Sequence, residues 1–332
     1  MNDFQITNGV LTRYNGSDSR VTVPNQVRKI GESAFKGRYM ITEVILPDGV
    51  VEIEKDAFSF CSNLANIRLP ERLLHLRDNA FSYCTQLTEI VLPESIVSIG
   101  FRAFCRCTRL KSIYIPAATA EIGSAPFSLC DSLTELRVSD NNPFYRSIDG
   151  ILYSKDAKKL ICYPIGRTDE EFTVPSTVKR IGLSAFSFCK HLRVLTIPDS
   201  VTVIEPTAFS GCIRLKTVFT NASKLGKFKK LGLPFISACL NGCLIRYANG
   251  ELSKTEITLI KQYVSDNFLL YKDDRFNQPL YIKFTVEQGL ISIAAARDWM
   301  NDCEDTEARA MLLNYINQKR APISFSEEYE LQ

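Results

Sequence analysis

The stretch Ile99-Gly100-Phe101-Arg102-Ala103-Phe104-Cys105-Arg106-Cys107-Thr108-Arg109-Leu110-Lys111-Ser112-Ile113-Tyr114-Ile115-Pro116 decides the fold, because its landmarks recur at a fixed interval. With Phe104 as origin, equivalent phenylalanines stand at Phe35, Phe58, Phe81 and Phe127, 23 residues apart, and again at Phe186 and Phe209. The one longer interval, Phe127 to Phe186, exceeds a period by 36 residues. Five residues before each origin stands Ile30, Ile53, Leu76, Ile99, Ile122, Ile181 or Ile204. Three residues after it stands Cys61, Cys84, Cys107, Cys130, Cys189 or Cys212, with Arg38 in the first copy. Several independent columns carrying one period mean a repeat protein.

Within the period, Leu64-x-x-Ile67-x-Leu69 is matched by Leu87, Ile90, Leu92 and by Leu110, Ile113, Ile115. In this L-x-x-L-x-L core, alternate side chains of a short strand point inward before the coil turns back. A coil cannot bury its apolar side alone, so like residues must stack on like residues in neighbouring coils. The small alanine beside the phenylalanine lets backbones approach, and the phenylalanine fills the interior. Pro24, Pro47, Pro70, Pro93, Pro116, Pro175 and Pro198 follow the strands, where a residue that cannot donate to a ladder ends it. Ser139 and Asn221 replace this proline in the fifth and last copies, so interruptions of the regular stack are expected there.

The pattern I-G-x-x-A-F-x-x-C-x-x-L-x-x-[IV]-x-[IL]-P resembles the BspA-like class of bacterial leucine-rich repeats over about residues 4–221. The match is tightest from Ile99-Gly100 to Pro116 and from Ile181-Gly182 to Pro198. The resemblance implies an extended solenoid used in adhesion and protein recognition, mostly on cell surfaces. The expected fold class is therefore an α/β-type, β-rich leucine-rich-repeat solenoid, right-handed, with 23-residue coils.

Composition excludes several other classes. The chain has 332 residues, 45% hydrophobic and 23% charged, which is ordinary for globular proteins and unlike disordered or fibrous ones. A formal net charge of +3 over this length advertises no nucleic-acid partner. No apolar run approaches the ~20 residues of a membrane span, so membrane insertion is not expected. Eleven cysteines are too sparse and too regularly placed for a disulfide scaffold. The six in the column are expected to be reduced, buried, small apolar groups. Met1-Asn2-Asp3-Phe4 lacks the basic start of a signal peptide, giving a cytoplasmic expectation, whereas the resemblance implies the cell surface or secretion.

The N-terminal residues 1–23 read as a β-hairpin cap, running from Asn8-Gly9-Val10-Leu11 through Asn15-Gly16 to Val21-Thr22-Val23. Such a cap would cover the open end of the solenoid, assigned to residues 24–221. An insertion at about 139–174 holds two β-prone runs, Ile151-Leu152-Tyr153 and Leu160-Ile161-Cys162-Tyr163, and is expected as a hairpin that protrudes from or kinks the stack. Residues 222–252 read as a transition, with Lys224, Lys227, Lys229 and Lys230 on a solvated loop or helix face. A helical cap is expected over 253–320, followed by an acidic tail at 321–332. Its first helix places Ile257, Ile260, Val264 and Phe268 on one face behind a Ser253-x-x-Glu256 capping box. A second is expected to start at Thr285-x-x-Gln288 and carry Ile291, Ile293, Ala294 and Trp299. A third covers Thr306 to Lys319, burying Ala308, Met311, Leu312, Tyr315 and Ile316.

Chemistry is sparse. His75 and His191, the two histidines, both sit beside repeat-column leucines, which gives them structural addresses. Cys105-x-Cys107 and Cys239-x3-Cys243 lack the second pair a zinc site needs. No phosphate-cradling loop, nucleophile elbow or zincin helix is present, so neither catalysis nor a cofactor is expected. A binding surface is expected where strand residues point outward. One outward column holds Glu43, Asn66, Glu89, Ser112, Glu135, Val194 and Thr217, the other Ile45, Arg68, Val91, Tyr114, Arg137, Thr196 and Phe219. Apolar and aromatic groups interleaved with arginine are enriched at recognition surfaces. The expected function is thus a non-enzymatic, monomeric scaffold binding a protein through Glu43, Ile45, Arg68, Glu89, Val91, Tyr114, Glu135, Arg137 and Phe219. The alternative is an enzyme or carbohydrate-binding protein with its site in the C-terminal region.

Overall fold

A computed structural model describes residues 3–267 and 279–320. The chain divides into two units, Met1–Leu215 and Lys216–Gln332, a division just short of Asn221, where the sequence frame ends.

The first unit is a β-solenoid most of whose coils lay down two short parallel strands. On one side Arg20–Thr22, Glu43–Ile45 and Asn66–Arg68 pair in register, as do Ser112–Ile115 with Glu135–Val138 and Glu171–Thr173 with Val194–Thr196. On the other, two-residue strands at Lys29–Ile30, Glu52–Ile53, His75–Leu76, Ser98–Ile99 and Glu121–Ile122 stack in one sheet. The expected strand around Glu89–Val91 forms no such ladder, although Ile90 is buried; that coil is held in line by packing, by the short-strand sheet and by backbone bonds such as Phe81 N–H to the Ala103 carbonyl.

The core is a ladder of side chains. Phe35, Phe58, Phe81, Phe104 and Phe127 stack with ring centroids 4.8, 5.2, 5.6 and 5.9 Å apart, all at most 2% exposed. Neighbouring coils are also tied by backbone: Phe35, Phe58 and Phe81 each donate their N–H to the carbonyl of Ala57, Ala80 and Ala103, at 2.8 Å. Pro126 takes the alanine's place before Phe127 and accepts from Phe104 at 2.9 Å. The column cysteines complete the arrangement. Cys61, Cys84, Cys107, Cys130 and Cys212 donate their thiols to the carbonyls of Phe35, Phe58, Phe81, Phe104 and Phe186, at 2.9–3.2 Å. Each of these carbonyls also accepts the backbone N–H three residues on, so the thiol is a second donor to an oxygen with two lone pairs. All eleven cysteines are free, and burial pushes the Cys61 thiol up to about 12.

Turning the chain around each phenylalanine requires left-handed backbone on both sides of it. Asp56 and Phe60 (φ 57° and 62°), Asn79 and Tyr83 (55° and 63°), and Arg102 and Arg106 (52° and 60°) all adopt it. Each such residue costs roughly 1–2 kcal/mol, offset here by the hydrogen bonds to both neighbouring coils. The first and last regular coils place Gly37 and Gly211 at the second of these positions.

Two β features differ from expectation. The N-terminal hairpin pairs Phe4–Thr7 with Val10–Tyr14 and turns at Asn8-Gly9, both at positive φ (50° and 76°), not at Asn15-Gly16. Tyr14 takes the first place in the aromatic ladder, 5.3 Å from Phe35, so the strand must end there, and Val21-Thr22 is left to form the first coil strand. Val10-Leu11 pairs with Lys29-Ile30, which extends the short-strand sheet into the hairpin. The insertion is a three-stranded meander, Tyr145–Ile148, Ile151–Ser154 and Lys159–Cys162, whose last strand rejoins the stack beside Arg180–Ile181. Tyr163 then occupies a ladder place, 5.1 Å from Phe186, so the coil rejoins the period and does not merely protrude. Buried Asn142 anchors the base: its amide donates to the Pro116 and Thr119 carbonyls, and its oxygen accepts from the Phe144 and Tyr145 N–H groups.

In the second unit, helix α1 (Leu233–Ala248) occupies the expected transition segment. It packs on strand Thr217–Phe219, with Asn241 donating to the Lys216 carbonyl and the Thr217 hydroxyl. A Cβ at Gly242 would collide with the Val218 carbonyl, so glycine permits the approach. Cys239 and Cys243 are both buried on this helix, four residues apart. Lys224 is buried, contrary to a wholly solvated basic run, while Lys227 and Lys230 are exposed. Helix α2 (Lys254–Asp266) begins at the expected Ser253–Glu256 capping box and buries Ile260 and Val264; Phe268 lies outside the described residues, as does the acidic tail. Helix α3 (Pro279–Glu287) contains Thr285 near its end, so the expected start at Thr285 is wrong. Gly289, at φ 66°, follows the helix, and Ser292 caps helix α4 (Ile293–Asp302) instead. Helix α5 (Thr306–Arg320) buries Ala308, Leu312, Tyr315 and Ile316, with Met311 half-buried, and the Tyr315 hydroxyl donates to the Ile291 carbonyl at 2.6 Å.

Candidate functional site

Strand alternation positions the outward side chains. In Ser112–Ile115 the residues alternate exposed and buried, Ile113 and Ile115 facing the core and Tyr114 left 42% exposed. Parallel register then sets Ile45 beside Arg68, Glu43 beside Asn66, and Tyr114 beside Arg137. An open cleft of about 480 Å³ lies where the ladder lapses, lined by Glu43, Ile45, Arg68, Glu71, Glu89, Val91 and their neighbours. Val91 is 81% exposed on its border. Val91 and the half-exposed Ile45, on either side of Arg68, leave apolar surface in contact with water.

Charges on this face are unevenly satisfied. Arg20 pairs with Glu43 at 3.4 Å and Arg137 with Glu135 at 2.8 Å. The hydrogen bond from Arg137 holds the Glu135 carboxyl below its ordinary value. Among the described residues, neither Arg68 nor Glu89 forms an ion pair, so both charges remain open to a partner.

The insertion bounds this surface. Leu136 N–H donates to the Gly150 carbonyl, and the Ser147 hydroxyl donates to the Leu136 carbonyl, so the meander covers the free edge of Glu135–Val138. Glu43, Ile45, Arg68, Glu89, Val91, Tyr114, Glu135 and Arg137 thus fall before the meander. Val194 and Thr196, both half-buried, lie beyond it in another sheet. Phe219 is half-buried and belongs to the second unit. Glu71 was missed by the column argument because it follows Pro70 instead of lying in the strand; its signal was its place at the strand's exit. Elsewhere His75 sits in the short-strand sheet with its Nδ1 2.9 Å from the Ser98 hydroxyl.

The repeat model for the BspA type leucine rich repeat region matches in six copies, over residues 13–142 and 168–231, more than half of the chain. Solved structures with similar folds include a leucine-rich repeat protein from Eubacterium ventriosum, at 25% identity and TM-score 0.54, covering 63% of this chain and 65% of that one. A leucine rich cell surface protein from Faecalibacterium prausnitzii is 29% identical with TM-score 0.51, covering 64% and 72%. The pneumococcal vaccine antigen PcpA shares the fold at 23% identity and TM-score 0.54, covering 66% and 69%. The chain therefore spans less than two thirds of the Eubacterium ventriosum protein's length. No curated protein sequence matches it. Among the described residues, no helix is long and apolar enough to cross a membrane. With the period, the core columns and the matched repeats in agreement, the chain belongs to the BspA-type leucine-rich-repeat family.

Proposed function

We propose that this protein is a non-enzymatic scaffold that binds a protein partner through the strand face between Glu43 and Arg137. The observation that carries the reading is the cleft in which exposed Val91 and Ile45 lie beside the unpaired charges of Arg68 and Glu89. Apolar anchors ringed by charges are how protein interfaces combine affinity with specificity. Tyr114 stands at the far border of this patch, where an aromatic side chain typically dominates binding. A location at the cell surface, as described for the Faecalibacterium prausnitzii relative, goes with this reading.

Affinity capture from the source cell and its host, followed by binding measurements on the captured protein, tests it. Tyr114→Ala is expected to weaken binding by about 2 kcal/mol, some thirtyfold, while changing stability by less than about 0.5 kcal/mol. Normal binding by Tyr114→Ala, with loss of binding on removing residues 253–332 from a still-folded solenoid, would transfer recognition to the helices.

A further inference from the structure

A second surface, on the turns around the phenylalanine ladder, is also arranged for recognition. Phe60 and Tyr83 project from equivalent places in successive coils and stack at 4.2 Å, and the Arg106 guanidinium lies 5.2 Å from the Tyr83 ring centre on the next coil. Phe60 is 47% exposed, although bulky residues rarely adopt the left-handed backbone that it and Tyr83 share. The equivalent place one coil earlier is Gly37, where an added Cβ would meet nothing within 4 Å. One face of Phe60 is covered by Tyr83; the coil on its other side offers no side chain at the equivalent place. A cleft of about 480 Å³ opens at Gly37, lined by Arg13, Glu32, Lys36 and Arg38 among others.

Unpaired charge on this edge is mostly basic, the exposed carboxylate of Asp78, which accepts from the Phe101 N–H, being an exception. Lys36 is neutralised by Asp56 and Glu32 by Lys55. Arg13, Arg38, Arg102 and Arg106 have no carboxylate within 4 Å among the described residues. The exposed rims of the stacked rings are their electropositive edges, which attract carboxylate oxygens as the guanidinium groups do. A sugar ring lying flat would find few free aromatic faces, because Tyr83 is sandwiched between Phe60 and Arg106.

We propose that this edge binds an acidic peptide segment carrying one aromatic residue, the ring seated on Phe60 above Gly37 and the carboxylates on Arg38 and Arg106. Three coil steps of roughly 4.8 Å separate Gly37 from Arg106, a span of four or five extended residues at about 3.3 Å each. This surface is separate from the strand face and does not depend on what binds there.

The test is fluorescence anisotropy with the full chain and a labelled peptide of four glutamates around one phenylalanine. Saturable binding that weakens with added salt is expected. The double variant Phe60→Gly, Tyr83→Gly should lose at least about tenfold in affinity, and Arg106→Gly a loss of about the same order. Glycine is the chosen replacement because left-handed positions accept it, and unchanged melting would show the fold intact. Ile213→Ser, an exposed change on a distant turn, should leave affinity within about twofold. Four outcomes would overturn the proposal: no saturation by about 1 mM peptide, full affinity in both glycine variants, equal binding of a glutamine-for-glutamate peptide, or a tenfold loss in Val91→Ser. Tighter, Phe60-dependent binding of a heparin oligosaccharide that displaces the peptide would make a sulfated glycan the occupant instead.

Discussion

Cys84 in the solenoid and Cys239 in α1 are both fully buried, but they are buried for different reasons. Cys84 repeats a column: its thiol donates to the Phe58 carbonyl just as Cys107 does to Phe81, one coil on. Cys239 repeats nothing and lies on a helix that packs against strand Thr217–Phe219 and against helices α2 and α3. In the first unit a residue's environment follows from its position in the period, whereas in the second it follows from which elements happen to meet. A stacked column should therefore behave as one core, so changes within it can break or sharpen this contrast.

The largest effect is expected at Phe81, stacked between Phe58 and Phe104 at 5.2 and 5.6 Å. Phe81→Ala should cost about 3–5 kcal/mol in denaturant unfolding of the solenoid. A loss below about 1 kcal/mol would mean that the column does not act as a core. Cys84→Ala should cost about 1–2 kcal/mol, since it removes a buried sulfur and the second of two hydrogen bonds to the Phe58 carbonyl, which keeps the Cys61 N–H. Cys84→Ser should cost less than the alanine change, because a hydroxyl keeps the donation; equal losses would show that volume alone matters there.

Glu52 sharpens the same point with charge. It sits between Lys29 at 2.7 Å and Arg77 at 2.5 Å, one coil to either side. Burial pushes its carboxyl up, but hydrogen bonds from Lys29 and Arg77 outweigh that and hold it below its ordinary value. A lowered folded value means that this contribution is present above the ordinary carboxylate range and is lost as pH falls through the depressed value. Glu52→Gln should remove about 1 kcal/mol at neutral pH, kept small by the partly exposed partners, and should flatten the acid limb of the stability profile. An unchanged acid limb would show that the triad contributes nothing. The smallest effect is expected at Ala125, which is held at φ 52°. Ala125→Gly should raise stability by roughly 0.5–1 kcal/mol by relieving left-handed strain, and a loss instead would show that its methyl packs.

The Phe, Ile and Cys columns were legible because a packing requirement repeated every 23 residues leaves the same residue types at the same spacing. Tyr163 was legible too, 23 residues before Phe186 with Pro175 in the proline column, but tyrosine in place of phenylalanine disguised it. The outward strand residues followed from alternation. Their grouping into a cleft did not, because the ladder lapses at Glu89–Val91 with no mark in the local sequence. Helix α1 escaped notice because apolar residues surround it and leave no helical stripe to read.

By itself, the sequence determined the period, the residues of the core ladder and the outward columns, since each is a local demand made again in every coil. Only the tertiary structure decided which of Asn8-Gly9 and Asn15-Gly16 became the hairpin turn, because both dipeptides suit a turn and the choice rests on where Tyr14 meets Phe35. It likewise decided that the meander closes the strand face after Arg137 and that Phe60 and Tyr83 project together from the turns. These outcomes depend on contacts between coils, and a single coil read alone carries no record of its neighbour.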